Sequence, residues 1–246
     1  MRVLSIVHER DAGSGVFAVA AAQRGDELVE WIPAEAAVPE LAGFDAALVF
    51  GGGMHVDEED EHPWLRAEKE LLRSLLARGT AVLGVCLGAQ LLAVAAGGSA
   101  RRGAEPEIGW TAMELAPQAA GDPLLDPLPT RFEGFQWHSY EIELPDGAVE
   151  LARSARCLQA FRLGSAPAWG IQFHAEVTAG TVEGWVRDYG RDEDAIRAGL
   201  DRAAVLEQTG RAIGGWNELG IGLCRRFLEQ VAATSASGAP TGPIRG

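Results

Sequence analysis

Apolar positions in the first hundred residues fall into short runs that alternate with longer stretches of helical period. Residues 3–7, 28–31 and 46–50 have strand length and composition, and a Gly/Ala-rich helix is predicted over 15–24. In "HPWLRAEKELLRSLLARG", Pro63 suits a first turn, Leu65, Leu72, Leu75 and Leu76 fall largely on one face, and Gly79 supplies a C-terminal cap. "AVLGV" then reads as a buried strand, and "GAQLLAVAAGG" as a helix that stops at Gly97 and Gly98. Strands alternating with helices at this spacing predict βαβ units and a parallel sheet.

Beyond Ala100 the pattern shortens. "EIGWTAMELA", "RFEGFQWHSYEIEL", "AVELARS", "LQAFRLG" and "AWGIQFHAE" read as closely spaced strands that add an antiparallel or mixed extension, interrupted by a proline-rich loop over 122–130. Residues 178–233 are mostly helical in pattern, and 234–246 have the composition of a disordered tail. With no repeat and no long linker, 1–233 is expected to form one α/β domain.

Charge narrows the partners. The 246 residues carry a formal net charge of −14, which opposes nucleic acid and anionic membrane surfaces and favours a small molecule or a protein. The apolar run before His8 is too short for a signal peptide or a membrane span, so a cytoplasmic location is expected. Cys86, Cys157 and Cys224 lack metal-ligand spacing and fit free thiols in a reducing compartment. The stretch "HVDEEDEH" at 55–62 also lacks chelating spacing and reads as a solvated loop before a helix N-terminus.

The candidate chemistry centres on "GVCLG". G-x-C-x-G at a strand-to-helix junction is the cysteine counterpart of a nucleophile elbow. Gly84 and Gly88 let neighbouring backbone pass close to Cys86, and a helix N-terminus there favours a thiolate. A small buried cysteine ending a core strand accounts for the same five residues. In "AWGIQFHAEVT", strand alternation directs Trp169, Ile171 and Phe173 to the core and sets Gln172, His174 and Glu176 on the other face. An imidazole and a carboxylate placed so can hydrogen-bond, although a solvated polar face gives the same pattern. The glycines of "LVFGGGMHV" end a predicted parallel strand and offer backbone N–H groups to a ligand. Together the three stretches bring a nucleophile, a base and oxyanion donors to one sheet edge.

"FGGGMHV", "GVCLGAQLLA", "EIGW", "WHSYEIELPDGAVELARS" and "WGIQFHAE", spread over roughly residues 1–177, resemble class I (triad-type) glutamine amidotransferases. Within that family they are most similar to stand-alone proteins like the glutaminase domain of GMP synthase. The resemblance implies a flavodoxin-like, doubly wound open sheet with Cys86 as nucleophile, His174 as base and Glu176 orienting the imidazole. It also implies an oxyanion hole from the N–H groups of Gly52 and Leu87, and substrate contacts at Gly53, Gln90, His138, Ser139 and Tyr140. Gly53 stands where the family pattern has proline. "HSY" at 138–140 stands where it often has an H-G-D-like tripeptide, which leaves both free glutamine and other γ-glutamyl compounds open as substrates.

The implied activity is hydrolysis of the glutamine γ-amide through a cysteinyl thioester, with no metal or redox cofactor. No acceptor-activating domain is expected within the 246 residues, so ammonia transfer is expected to need a separate synthetase. A γ-glutamyl hydrolase or peptidase acting alone is the alternative. A catalytically idle regulatory subunit is a third, opposed by the presence of Cys86, His174 and Glu176. The apolar segment "WNELGIGLCRRFLEQV" is expected to pack on the chain's own sheet rather than to dock a partner.

Overall fold

The computed structural model describes residues 1–164 and 166–237. Strands β1 (Arg2–Ile6), β3 (Ala46–Val49) and β4 (Ala81–Val85) are nearly unbroken apolar runs because helices cover both faces of the sheet they form. With β2 (Glu27–Trp31) and β9 (Ala168–Ile171) they make a parallel half ordered β2-β1-β3-β4-β9. Alternation along each strand divides the core. Val3, Leu48, Phe50, Leu83 and Val85 pack in the layer of α1 (Gly15–Arg24), α4 (Ala179–Asp188) and α6 (Arg202–Ser237). Leu4, Ile6, Val49 and Val82 pack in the opposite layer, with α2 (Trp64–Ala77) and α3 (Leu87–Ala95). Burying each such Leu, Ile, Val or Phe contributes about 1.5–3 kcal/mol.

The sheet continues antiparallel through β8 (Leu158–Arg162), β7 (Val149–Ser154), β5 (Ser99–Leu115) and β6 (Arg131–Glu143), giving nine strands. A short helix, α5 (Glu193–Arg197), contacts the β5–β6 hairpin. The parallel core with an antiparallel extension is the architecture the sequence pattern leads one to expect. The buried face of α6, with Trp216, Leu223, Cys224, Phe227, Leu228 and Val231, packs in the chain's own core. No described helix is long and apolar enough to cross a membrane.

Two expectations need correction. The strand expected through His174 and Glu176 ends at Ile171. Its parallel neighbour β4 stops in register at Val85, paired with Ile171, and the chain turns away at Cys86, so the ladder has nothing to continue on that side. Residues 172–178 form a loop instead, anchored by Gln172 N–H to the Gln159 carbonyl at 2.8 Å and His174 N–H to the Phe135 carbonyl at 2.9 Å. At the other end, α6 runs through Ser237, so 234–237 of the expected tail are helical, and 238–246 lie outside the described residues.

Candidate active site

The carboxyl ends of β3, β4 and β9 deliver Gly52, Gly53, Cys86 and His174 to one cavity of about 620 Å³. The strand order reverses between β1 and β3, and ligands of open α/β sheets bind beyond the strand ends at such a switch point.

Cys86 is the one described non-glycine residue with positive φ, at φ 52° and ψ −111°. Holding it there costs about 1–3 kcal/mol, which the surrounding packing must offset. The glycines on either side explain how the turn closes. A Cβ on Gly84 would lie 2.5 Å from the Gly88 carbonyl oxygen, and one on Gly88 would lie 2.2 Å from that of Val49. Only with both positions bare can the start of α3 pass so close to β3 and β4. The Cys86 thiol is 3.7 Å from the Trp137 carbonyl oxygen.

His174 Nδ1 donates to Glu176 Oε1 at 2.7 Å, and both side chains are buried. With that nitrogen committed, Nε2 is left without an ordinary hydrogen-bond partner. Cys86 and His174 meet at Gly51, where a Cβ would lie 3.5 Å from Cys86 Cβ and 2.9 Å from His174 Cε1. Burial pulls the His174 pKa down, but the charges of Glu176 and then Cys86 outweigh it and raise it to about 10. The imidazole therefore holds its proton at neutral pH. The Trp185 ring stands edge-on to it at 4.9 Å.

The His174 loop is clamped through its backbone carbonyls. Trp216 Nε1–H donates to the His174 carbonyl at 2.8 Å, Val16 N–H to that of Glu176 at 2.8 Å, and Asn217 Nδ2–H to that of Val177 at 2.7 Å. Gly220 of α6 sits against the Ala175 carbonyl and Gly15 of α1 against that of Glu176, too close for any Cβ. The segment that reads in sequence as packing or docking surface thus also holds the histidine loop.

The other expected site residues reach the same cavity with varied partners. Leu87 opens α3, where an N–H has no intrahelical acceptor, and Gly52 lines the cavity beside it. Gly53 N–H is taken by Glu9 Oε2 at 2.8 Å. Gln90 Nε2 donates to Gln172 Oε1 at 3.3 Å. Tyr140 donates to Asp57 at 2.8 Å and stacks on His55, and burial followed by that hydrogen bond pushes its pKa up to about 12. Ser139 lines the wall near His138. His138 Nδ1 donates to the Tyr140 carbonyl, and Nε2 lies 3.4 Å from Glu107.

Glu107, His138 and Cys157 bring three potential metal-ligand atoms within 4.8 Å of one another. Glu107 Oε2 already accepts from Ser154 at 3.0 Å and Gln159 at 2.8 Å, so these groups also form a hydrogen-bonded polar core. In the 55–62 stretch, His55 is held by Arg102 and Glu59 by Lys69.

Several cavity residues escaped the sequence reading: Glu9, Arg102, Trp185, Tyr189, Asp192 and Asp194. Trp185, Tyr189, Asp192 and Asp194 come from the helical C-terminal part, which only the tertiary fold brings over the sheet edge.

Residues 19–186 match the glutamine amidotransferase class-I family. Over 159 residues the chain is 31% identical to a γ-glutamyl-L-1-hydroxyisopropylamide hydrolase of a Pseudomonas species, covering 61% of this chain and 53%, about half, of that one. Over 147 residues it is 33% identical to the glutamine-hydrolysing GMP synthase subunit of Methanoculleus marisnigri, covering 59% of this chain and 72% of that one. The crystal structure of a glutamine amidotransferase from Thermotoga maritima superposes with a TM-score of 0.83 at 29% identity, covering 93% of this chain and 98% of that one. The chain belongs to the class I glutamine amidotransferase family.

Proposed function

We propose that the protein hydrolyses a γ-glutamyl amide, with free glutamine as the simplest substrate, through a thioester on Cys86. The single observation that carries this reading is Cys86 in a strained turn at a helix start, against a His174 that is buried and hydrogen-bonded to Glu176. The Cys86 sulfur, its proton held on His174, attacks the γ-carbonyl carbon. The resulting oxyanion takes hydrogen bonds from the N–H groups of Gly52 and Leu87. The C–N bond then breaks, His174 protonates the departing nitrogen, and ammonia or an amine leaves. Water, deprotonated by His174, attacks the thioester and releases glutamate. Glu176 fixes the ring orientation throughout. Gln90, Gly53 and the 138–140 segment bind the α-amino acid end.

The GMP synthase relative supports a role as an ammonia-supplying protein that works with a separate synthetase. A second reading is that the amide nitrogen carries a substituent and the protein acts alone. It is supported by a cavity of about 620 Å³, larger than free glutamine needs, and by the γ-glutamyl amide hydrolase relative. The two readings are separated by assaying glutamine, γ-glutamyl dipeptides and γ-glutamyl alkylamides on the isolated protein and on a Cys86→Ala control. Fast Cys86-dependent cleavage of a substituted amide selects the second. Slow glutamine cleavage that rises sharply with an added synthetase selects the first, and no Cys86-dependent cleavage of any γ-glutamyl amide contradicts both.

A further inference from the structure

Beneath the glycine loop lies an ionisable pair that the chemistry above does not use. His8, just past β1, and Glu68, on α2, have side chains with no solvent exposure. His8 Nε2 is 3.0 Å from both Glu68 oxygens, and His8 Nδ1 is 3.1 Å from the Gly51 carbonyl oxygen. Trp64 stacks on the ring at 5.4 Å. Gly52 packs against the His8 side chain, since a Cβ there would be 2.9 Å from His8 Cβ.

We propose that His8 and Glu68 are positioning residues that hold the Gly51–Gly52 peptide with its N–H toward Cys86, so that one oxyanion donor is set before substrate arrives. The role in catalysis rests on the Cys86 reading above. The geometry of the pair does not.

A trans peptide directs its C=O and the following N–H to opposite sides, and the described chain has no cis bond. Fixing the Gly51 carbonyl on His8 therefore aims the Gly52 N–H away from His8, on the side where Gly51 meets Cys86 and His174. A flipped peptide would turn a carbonyl oxygen toward the oxyanion and strand a buried ring N–H without its acceptor, which disfavours the flip. Glycines on both sides of the peptide offer little steric resistance to such a flip, so the restraint must come from a side chain.

His8 Nδ1 faces a carbonyl oxygen, which can only accept, and with Glu68 as the carboxylate Nε2 faces an acceptor too, so the ion pair has both nitrogens protonated. Burial works to lower the His8 pKa, but the Glu68 charge and hydrogen bond, followed by the backbone carbonyls, raise it overall. A fully buried ion pair contributes little net stability compared with apolar side chains of similar size. Glu68 occupies the α2 face shared with Leu65, Leu72 and Leu75, where an apolar residue would pack. A charge kept there, one peptide away from the cavity, points to a task at the site.

The test compares two substitutions. The side-chain N–H of His8→Asn reproduces Nδ1 and can still reach the Gly51 carbonyl. That of His8→Gln reproduces Nε2, reaches Glu68 and leaves Gly51 unheld. Hydrolysis of a γ-glutamyl amide is read beside alkylation of Cys86 by iodoacetamide, which displaces iodide at a saturated carbon and needs no oxyanion hole. We expect His8→Gln to lose about 10²–10³ in kcat, as for loss of an oxyanion donor, with little change in KM or alkylation rate, and His8→Asn to stay within about tenfold of wild type. Equal activity in the two variants, or a loss confined to KM, would overturn the proposal.

In the wild-type protein, ¹⁵N NMR of the His8 ring should show both nitrogens protonated at pH 7. A lone-pair nitrogen on His8 contradicts the pair even if every His8 variant fails to fold. If wild type cleaves no γ-glutamyl amide while both nitrogens are protonated, the Cys86 reading has failed and the pair stands.

Discussion

Replacing Gly220 with alanine tests whether α6 holds the histidine loop. The new Cβ would lie 2.0 Å from the Ala175 carbonyl oxygen and 3.1 Å from Val16 Cγ2. A relaxed carbon–oxygen contact needs about 3.3 Å, so helix and loop must part by roughly 1.3 Å. Two stability effects oppose each other. Alanine in place of a helical glycine gains about 1 kcal/mol, and overpacking costs about 1–3 kcal/mol, for a net loss of about 0–2 kcal/mol. Activity should suffer more, because a displacement of about 1 Å in a reacting group costs about 10²-fold, or about 2.7 kcal/mol of barrier. Gly214, on the same helix, is the control: a Cβ there meets nothing within 4 Å, so alanine should stabilise by up to about 1 kcal/mol and leave turnover unchanged. Urea unfolding and γ-glutamyl amide hydrolysis, measured on the same preparations, give both numbers. If Gly220→Ala turned over at the wild-type rate while gaining stability as Gly214→Ala does, the clamp would have no role.

Cys86→Ala and His174→Ala should abolish turnover, whereas Glu176→Gln should retain a measurable remainder after a loss of up to about 10⁴-fold, and wild-type kcat in a folded Glu176→Gln protein would remove the carboxylate from the mechanism. Burial pushes the thiols of Cys157 and Cys224 up to about 12, so an electrophile at neutral pH should label Cys86 alone, and peptide mapping that finds equal labelling contradicts this. Because both thiols keep their protons in the folded state past the ordinary value of 9.0, the folded state binds more protons than the unfolded state between pH 9.0 and about 12. Stability should fall as pH rises through that window, and fall less steeply in a Cys157→Ser/Cys224→Ser variant; identical slopes in denaturant titrations would refute the assignment. Substrates with a capped α-amine or α-carboxylate should lose about 10–100-fold in kcat/KM, since buried polar groups built for that end are left unpaired, and equal cleavage of capped and free substrates would displace the binding role of Gln90 and the 138–140 segment.

What the sequence made legible was local. Apolar runs of strand length marked β1, β3 and β4 because burial on both faces leaves no room for alternation, and the start of α3 followed from Gly84 and Gly88 around Cys86. What it hid depends on contacts between distant segments. Nothing in "AWGIQFHAE" announces that β9 stops at Ile171, because the stop is set by β4, eighty-odd residues earlier in the chain. Trp216, Asn217 and Gly220 read as ordinary helix positions, and only the fold brings them to the His174 loop. Two signals were available. Glu68 is a carboxylate in the apolar stripe of α2, and His8 is a polar residue at the carboxyl end of a core strand, the same edge on which the glycines and Cys86 lie.

Cys86 should carry a γ-glutamyl thioester during turnover. Rapid quenching in acid during hydrolysis of a γ-glutamyl amide, followed by mass spectrometry of the intact protein and its peptides, reads that species directly. We expect one added glutamyl group, on the peptide containing Cys86, sensitive to hydroxylamine and missing from Cys86→Ala. Turnover at the wild-type rate by Cys86→Ala, or a glutamyl group carried on another residue, would contradict it.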